Sequence, residues 1–232
     1  MSDAATLDIK GDITPGFEAV RDAFANNFNS AGEVGASFAI WKDGKYLVDI
    51  WGGHADAAKS KEWQRDTLPN VWSTTKAVGA LCLAILVDRG ELSGVSTVRE
   101  PLTTEDLYDH DAMAARMAAT EPLWEPGTRS GYHALTFAFP TGELVKRITG
   151  KTIGQFFREE VAGPWEIDFH IGLPESEEPR IAEMIEAKNA QSLDEAGLND
   201  VQKLTFANPA PSALAPNTRA WRAAELSSAG GR

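Results

Sequence analysis

Residues Ala77 to Val87 carry no polar side chain other than the thiol of Cys82. At helical spacing such a run has no side suited to solvent, so a fold built on it is expected to surround that helix with protein. Gly90 follows at a position suited to a left-handed C′ residue, which predicts a helix from Ser73 to about Arg89. Directly ahead of the apolar run stands Val71-Trp72-Ser73-Thr74-Thr75-Lys76. The entry of a buried helix therefore carries a hydroxyl and an amine three residues apart.

The rest of the chain supplies elements to pack around it. Phe17, Val20, Phe24 and Phe28 repeat at three and four residues and predict an amphipathic helix starting near Thr14-Pro15, with Thr14 as its cap. Val34 to Trp41 and Tyr46 to Trp51 flank Asp43-Gly44, the signature of an antiparallel hairpin. Gly52 to Pro69 reads as a polar loop. Thr103 or Thr104 is expected to cap a helix through about Ala118, and Thr152 with Gln155 forms a capping box for Ile153 to Val161. Pro140 should break or restart any helix that crosses it. Arg180 to Lys188 and Asn217 to Leu226 predict two further short helices. The tail Ser227-Ser228-Ala229-Gly230-Gly231-Arg232 reads as an interruption rather than an ending. Strands come early and helices follow, so the class is α+β.

Composition narrows the partners. A formal charge of −12 over 232 residues repels phosphate backbones and anionic bilayers, which argues against nucleic-acid or membrane binding. No stretch approaches the roughly 20 apolar residues that cross a bilayer, and Met1 to Gly16 lacks the apolar core of a signal peptide. The single cysteine, Cys82, excludes an intrachain disulfide and reads as a small core residue. A cytoplasmic protein is the expectation.

On a helix, Ser73 and Lys76 would be neighbours. A serine hydroxyl needs a base beside it to become a nucleophile. Lysine can be that base once burial against an apolar run lowers its pKa from about 10.4. A helix N-terminus would add N–H groups that stabilise an oxyanion. Composition by itself yields about 0.6 chance Ser-x-x-Lys pairs in such a chain, so an N-capping serine and a solvated lysine remain the plain alternative. A second segment, Glu125-Pro126-Gly127-Thr128-Arg129-Ser130-Gly131-Tyr132-His133-Ala134, places a phenol after a Pro-Gly turn. Tyr132 could relay a proton to a leaving group, or simply be a core aromatic. The four histidines show no metal-ligand spacing, and no cofactor is expected. Asp109-His110-Asp111 reads as a solvated helix face, and His133 as support for the tyrosine loop. Neither a Gly-x-Ser-x-Gly elbow nor a Gly-x-Gly-x-x-Gly phosphate loop occurs.

Taken together, Trp72 to Lys76 with its apolar helix and Trp124 to Ala134 resemble the family VIII carboxylesterases, relatives of class C β-lactamases and D-alanyl-D-alanine peptidases. Gly142-Glu143-Leu144-Val145, Phe156 to Pro164 and Asp168 to Pro174 extend the resemblance over nearly the whole chain. It implies a β-lactamase/transpeptidase-like fold, with a helical region over residues 73–226 packed on an antiparallel sheet that includes the 34–51 hairpin, all in one domain, 1–232. It also implies Ser73 as acylated nucleophile, Lys76 as its base and Tyr132 as proton relay, acting on short-chain esters. Weak β-lactam hydrolysis, or a peptidase-like activity, is the neighbouring chemistry.

Against the family's pattern the segment Leu92 to Pro101 is contracted, and the chain stops soon after Trp221-Arg222-Ala223-Ala224-Glu225. The resemblance therefore implies an incomplete sheet, a missing second oxyanion N–H and an unpaired strand edge through which copies could associate. A shortened, non-catalytic binding or assembly relative is the alternative from another class.

Overall fold

Asp43 and Gly44 adopt φ of 51° and 78°, the left-handed pair that a tight antiparallel turn requires. The turn joins β2 (Gly35–Lys42) to β3 (Lys45–Gly53), as the sequence predicts. In this computed structural model the described residues are 7–88, 100–125, 128, 131–186, 197–210 and 212–232. They form two compact units, Met1–Pro69 with Pro179–Ile185, and Asn70–Glu178 with Glu186–Arg232.

In the first unit a further strand, β1 (Ile9–Ile13), pairs antiparallel with β3, giving the sheet order β1-β3-β2. The sequence reading missed β1, because Gly11 interrupts its apolar alternation. The long central strand supplies its backbone partners, Ile9 opposite Gly52 through Ile13 opposite Val48. Helix α1 (Glu18–Ser30) starts later than predicted and has Phe17 rather than Thr14 at its cap. Thr14 N–H instead donates to Leu47 O (2.8 Å), so residue 14 still belongs to the sheet. Phe24 of α1 packs on Val48 and Ile50 of β3, with Phe17, Val20 and Phe28 alongside. That is the apolar face the spacing predicts.

Residues Arg180 to Lys188 were expected to form a helix, but Arg180 instead ends a short helical turn, Glu175–Arg180, and Ile181 to Glu186 are not helical. Ala182 N–H donates to Leu68 O (3.1 Å) and Glu183 N–H to Ala55 O (2.7 Å), so external backbone acceptors replace intrahelical ones. Ala187 and Lys188 lie outside the described residues.

The second unit is helical. It contains α2 (Thr75–Asp88), α3 (His110–Ala119), α4 (Ala138–Thr149), α5 (Ile153–Phe157), α6 (Asp200–Phe206) and α7 (Arg219–Ala223). The capping box at Thr152 and Gln155 is formed, and α5 runs on into a wider turn over Arg158–Ala162. Pro140 sits in the first turn of α4, where its missing N–H costs nothing, so the helix begins just before it. Asp109 rather than a threonine caps α3, its Oδ1 accepting from Ala112 N–H (3.0 Å). A tight turn over Glu105–Tyr108 precedes it. Asp109-His110-Asp111 is therefore not one solvated face: Asp109 is a cap, and the His110 ring lies against Phe139. The last predicted helix is shorter than expected, with Thr218 capping α7.

Two apolar clusters build this unit. Cys82 and Leu86 of α2 meet Val145, Ile153, Phe156, Phe157 and Ile171 in one of them. Burial pushes the Cys82 thiol up to about 12, so it stays a neutral core group. In the other, Met113, Met117 and Phe139 pack with Trp221, Leu226 and Ala229. Complete enclosure of α2 is not what the structure shows: Thr75, Gly79, Cys82 and Leu86 are buried, but Ala77, Ala80, Leu81 and Ala84 form an exposed stripe. Among the described residues, the core clusters and the C-terminal segment cover one side of the helix only. The predicted helix end at Arg89-Gly90 lies outside the described residues. Among the described residues no helix is long and apolar enough to cross a membrane.

Candidate active site

Ser73 lies not in α2 itself but in a tight helical turn, Trp72–Thr74, that leads into it. Trp72 takes a φ of 46°, a conformation that costs a non-glycine residue about 1–2 kcal/mol. Its ring is held against Trp221 at 5.7 Å, edge to face, within the Met113–Phe139 cluster. Core packing thus holds a strained residue directly before the serine.

The segment Ser227 to Arg232 is buried throughout and forms the floor beneath this turn. Val71 N–H donates to Gly231 O (3.0 Å), and Gly231 N–H donates to Thr75 Oγ1 (2.9 Å). Thr75 Oγ1 in turn donates to Trp72 O (2.5 Å), and Asn70 Nδ2 to Ala229 O (3.2 Å). Thr75→Val keeps the side-chain volume and removes both of its bonds, leaving the buried Gly231 N–H without an acceptor. It is expected to cost about 1–3 kcal/mol, read as a fall of the melting temperature by roughly 2–10 °C. Thr75→Ser should restore most of the loss.

The structure brings Ser73, Lys76 and Tyr132 together. Tyr132 hydroxyl lies 2.7 Å from Ser73 Oγ, and Lys76 Nζ lies 3.3 Å from the same atom. Lys76 Nζ also donates to Ala134 O (2.6 Å) and Ser228 O (2.9 Å). Carbonyl oxygens can only accept, so these two bonds use two of the amine's hydrogens. The remaining direction faces Ser73 Oγ. In the ammonium form it holds a third N–H; in the neutral form it holds the lone pair, aimed at the hydroxyl.

Burial shifts this amine toward its neutral form. Burial pushes the Lys76 amine below its usual range, while the neighbouring Tyr132 phenol pulls it partly back. Tyr132 is itself held below the ordinary phenol range, first by its bond to Ser73 and then by the Lys76 charge. Lys76 Nζ also stands 4.9 Å from the centre of the Tyr132 ring. The His133 imidazole is pushed down, by burial first and by the Lys76 charge second, and its Nδ1 lies 3.2 Å from Thr136 Oγ1. Pro126, Gly127, Arg129 and Ser130 of the tyrosine loop lie outside the described residues.

A separate cavity of about 520 Å³ is lined by His110, Asp111, Gly142, Lys146, Glu225 and neighbours, and by none of the three residues above. His110, Asp111 and Glu143 each bring one potential ligand atom within 4.8 Å of the others. Lys146 already pairs with Asp111 (2.5 Å) and Arg147 with Glu143 (2.5 Å), so cations of the chain neutralise both carboxylates.

One family model, described as Beta-lactamase, matches residues 20–229. The chain belongs to the β-lactamase family. It is similar to the esterase/beta-lactamase LipL of Mycobacterium tuberculosis, 34% identical over 206 residues, or 75% of this chain and 48% of that protein. The chain thus spans about half the length of this curated relative. Among solved structures, a family VIII carboxylesterase superposes with a TM-score of 0.84 at 38% identity, over 97% of this chain and 68% of that one. A penicillin-binding protein homolog from Caulobacter crescentus gives 0.83 at 33%, over 97% and 67%. EstA from Arthrobacter nitroguajacolicus Rue61a gives 0.78 at 31%, over 94% and 65%. The fold is therefore β-lactamase/transpeptidase-like, helices with an antiparallel sheet, as the resemblance implied.

Sequence reasoning named the three side chains of the site and missed what orients them. Ala134 O and Ser228 O are backbone atoms, invisible to a search for reactive side chains. The small-residue run Ser227 to Gly231 was the available signal, because such residues allow backbones to approach closely.

Proposed function

We propose that this chain is a serine hydrolase that cleaves short-chain carboxylic esters through an acyl-serine intermediate. The observation that carries the reading is Ser73 Oγ held between the Tyr132 hydroxyl at 2.7 Å and Lys76 Nζ at 3.3 Å. The names of two relatives, a carboxylesterase and an esterase/beta-lactamase, agree with it.

In this mechanism neutral Lys76 takes the Ser73 proton as Oγ bonds to the ester carbonyl carbon. The Ser73 backbone N–H, in the turn ahead of α2, is the candidate donor to the resulting oxyanion. Collapse breaks the bond between that carbon and the alcohol oxygen. The alcohol leaves with the proton, passed from Lys76 by way of the Tyr132 hydroxyl. Water then attacks the acyl-serine while Lys76 takes a proton from it. Release of the carboxylic acid returns the proton to Ser73 Oγ, and the amine is neutral again.

A fluorophosphonate probe, which phosphonylates activated serines, tests the reading together with p-nitrophenyl acetate turnover. The wild type should label at one site and turn over the ester; Ser73→Ala should do neither. Equal labelling of the two proteins, or no turnover by the wild type, would end the proposal. The double name of the Mycobacterium tuberculosis relative supports a second reading, β-lactam hydrolysis by the same serine. Nitrocefin turnover that exceeds ester turnover would favour it.

A further inference from the structure

The Tyr132 ring is not bare on its outer side. Phe206, the last residue of α6, stacks on it with ring centres 6.0 Å apart and planes inclined by 24°. Both rings reach solvent, Tyr132 at 50% and Phe206 at 39% exposure, so together they form an apolar surface next to Ser73. Two bonds anchor the end of α6. Asn208 Oδ1 accepts from Leu102 N–H (2.7 Å), and Asn208 Nδ2 donates to Glu100 O (2.7 Å). An asparagine-capped first turn fixes the other end of the helix, with Asn199 Oδ1 accepting from Gln202 N–H (2.9 Å). Phe206 is thus placed by bonds on both sides of it, and it stays 39% exposed.

Position decides what such a surface does. In an acyl transfer the group that protonates the leaving alcohol must lie beside the alcohol oxygen, on the side away from the acyl chain. Tyr132 is that group in the mechanism above, so a ring stacked on Tyr132 borders the alcohol half of the ester. We propose that Phe206 is a specificity-determining residue that selects esters by their alcohol, favouring flat aromatic alcohols over small aliphatic ones and leaving acyl-chain preference to other residues. Offset stacking of an aryl leaving group on the Phe206–Tyr132 pair supplies the discrimination. The inference rests on the proposed hydrolase reading, and it assigns one side of that site.

Two matched ester series test it. One holds the acyl group as acetate and varies the alcohol through 2-naphthol, phenol and ethanol. The other holds p-nitrophenol and varies the acyl chain through acetate, butyrate and hexanoate. In Phe206→Ala, kcat/KM for 2-naphthyl acetate relative to ethyl acetate should fall about 10-fold, the size expected for a lost apolar contact. The effect should lie mainly in KM, and the acyl-length profile should stay as in the wild type. Phe206→Trp should keep the aryl preference, and Phe206→Leu should lose it while keeping bulk, which separates stacking from folding. A uniform loss across all alcohols, or a changed acyl-length profile, overturns the assignment. If Ser73-dependent turnover persists and the alcohol preference of Phe206→Ala is unchanged, the inference alone fails. If no turnover depends on Ser73, the hydrolase reading fails with it.

Discussion

Lys76→Met is expected to slow acylation of Ser73 by about 100- to 10,000-fold, the span a positioned general base contributes. Methionine keeps most of the stem volume and removes the nitrogen, so the fold should survive. Lys76→Arg is expected to be nearly as slow, because a guanidinium stays protonated and has no lone pair to offer. That contrast separates a base from a mere positive charge: substantial rescue by arginine would show that charge alone is what the site needs. In the wild type the base works only when neutral, so the acylation rate should rise with pH through the pKa of Lys76. Burial places that limb below the ordinary lysine value of 10.5. The rate should fall where Tyr132, also held below its ordinary range, loses the proton it relays. The two groups touch the same oxygen, so the limbs belong to the pair and not to either residue singly. Stopped-flow acylation between pH 5 and 10 with p-nitrophenyl acetate reads both. A flat profile would remove lysine from the role of base.

Gly231→Val is expected to be the most destabilising single change near the site. A Cβ at Gly231 would stand 2.6 Å from Thr75 Oγ1 and closer still to the Phe169 ring. Both neighbours are themselves held, Thr75 by its two bonds and Phe169 in the cluster with Phe157. Overpacking of this kind costs about 1–3 kcal/mol, and separating Gly231 N–H from Thr75 Oγ1 adds about 1–3 kcal/mol. The melting temperature should therefore drop by roughly 5–20 °C. The same displacement moves Ser228, so the carbonyl that orients Lys76 shifts and activity should fall below what lost stability alone explains. Gly150 supplies the control. It has φ of +72° and caps α4, yet a Cβ there meets nothing within 4 Å. Gly150→Ala should cost only the left-handed strain, about 1–2 kcal/mol. Equal melting temperatures for Gly231→Val and the wild type would mean that the tail is not packed as described.

The hairpin, the α1 face, the capping box at Thr152 and the pairing of Ser73 with Lys76 were legible in the chain because each depends on residues a few positions apart. Turn chemistry at Asp43-Gly44 and the i, i+3, i+4 rhythm of Phe17 to Phe28 act locally. Two of the misses arose where a distant segment supplied the decisive partner. Strand β1 exists because β3 offers it a ladder, and Ile181 to Glu183 stay out of a helix because Ala55 and Leu68 hold their N–H groups. The exposed stripe of α2 belongs with these, since an apolar sequence states that a helix prefers cover but not which sides receive it.

By itself the sequence supplied the candidate groups: a serine and a lysine three residues apart, a tyrosine after a Pro-Gly turn, and an apolar helix able to bury the amine. Only the tertiary structure decided that these groups meet at one oxygen atom. It also decided that the carbonyls of Ala134 and Ser228 consume two of the amine's hydrogens and turn the remaining position toward Ser73. The physical reason is that a lone pair has a direction. Direction is set by acceptors 58 and 152 residues away along the chain, which no local pattern around Lys76 can announce.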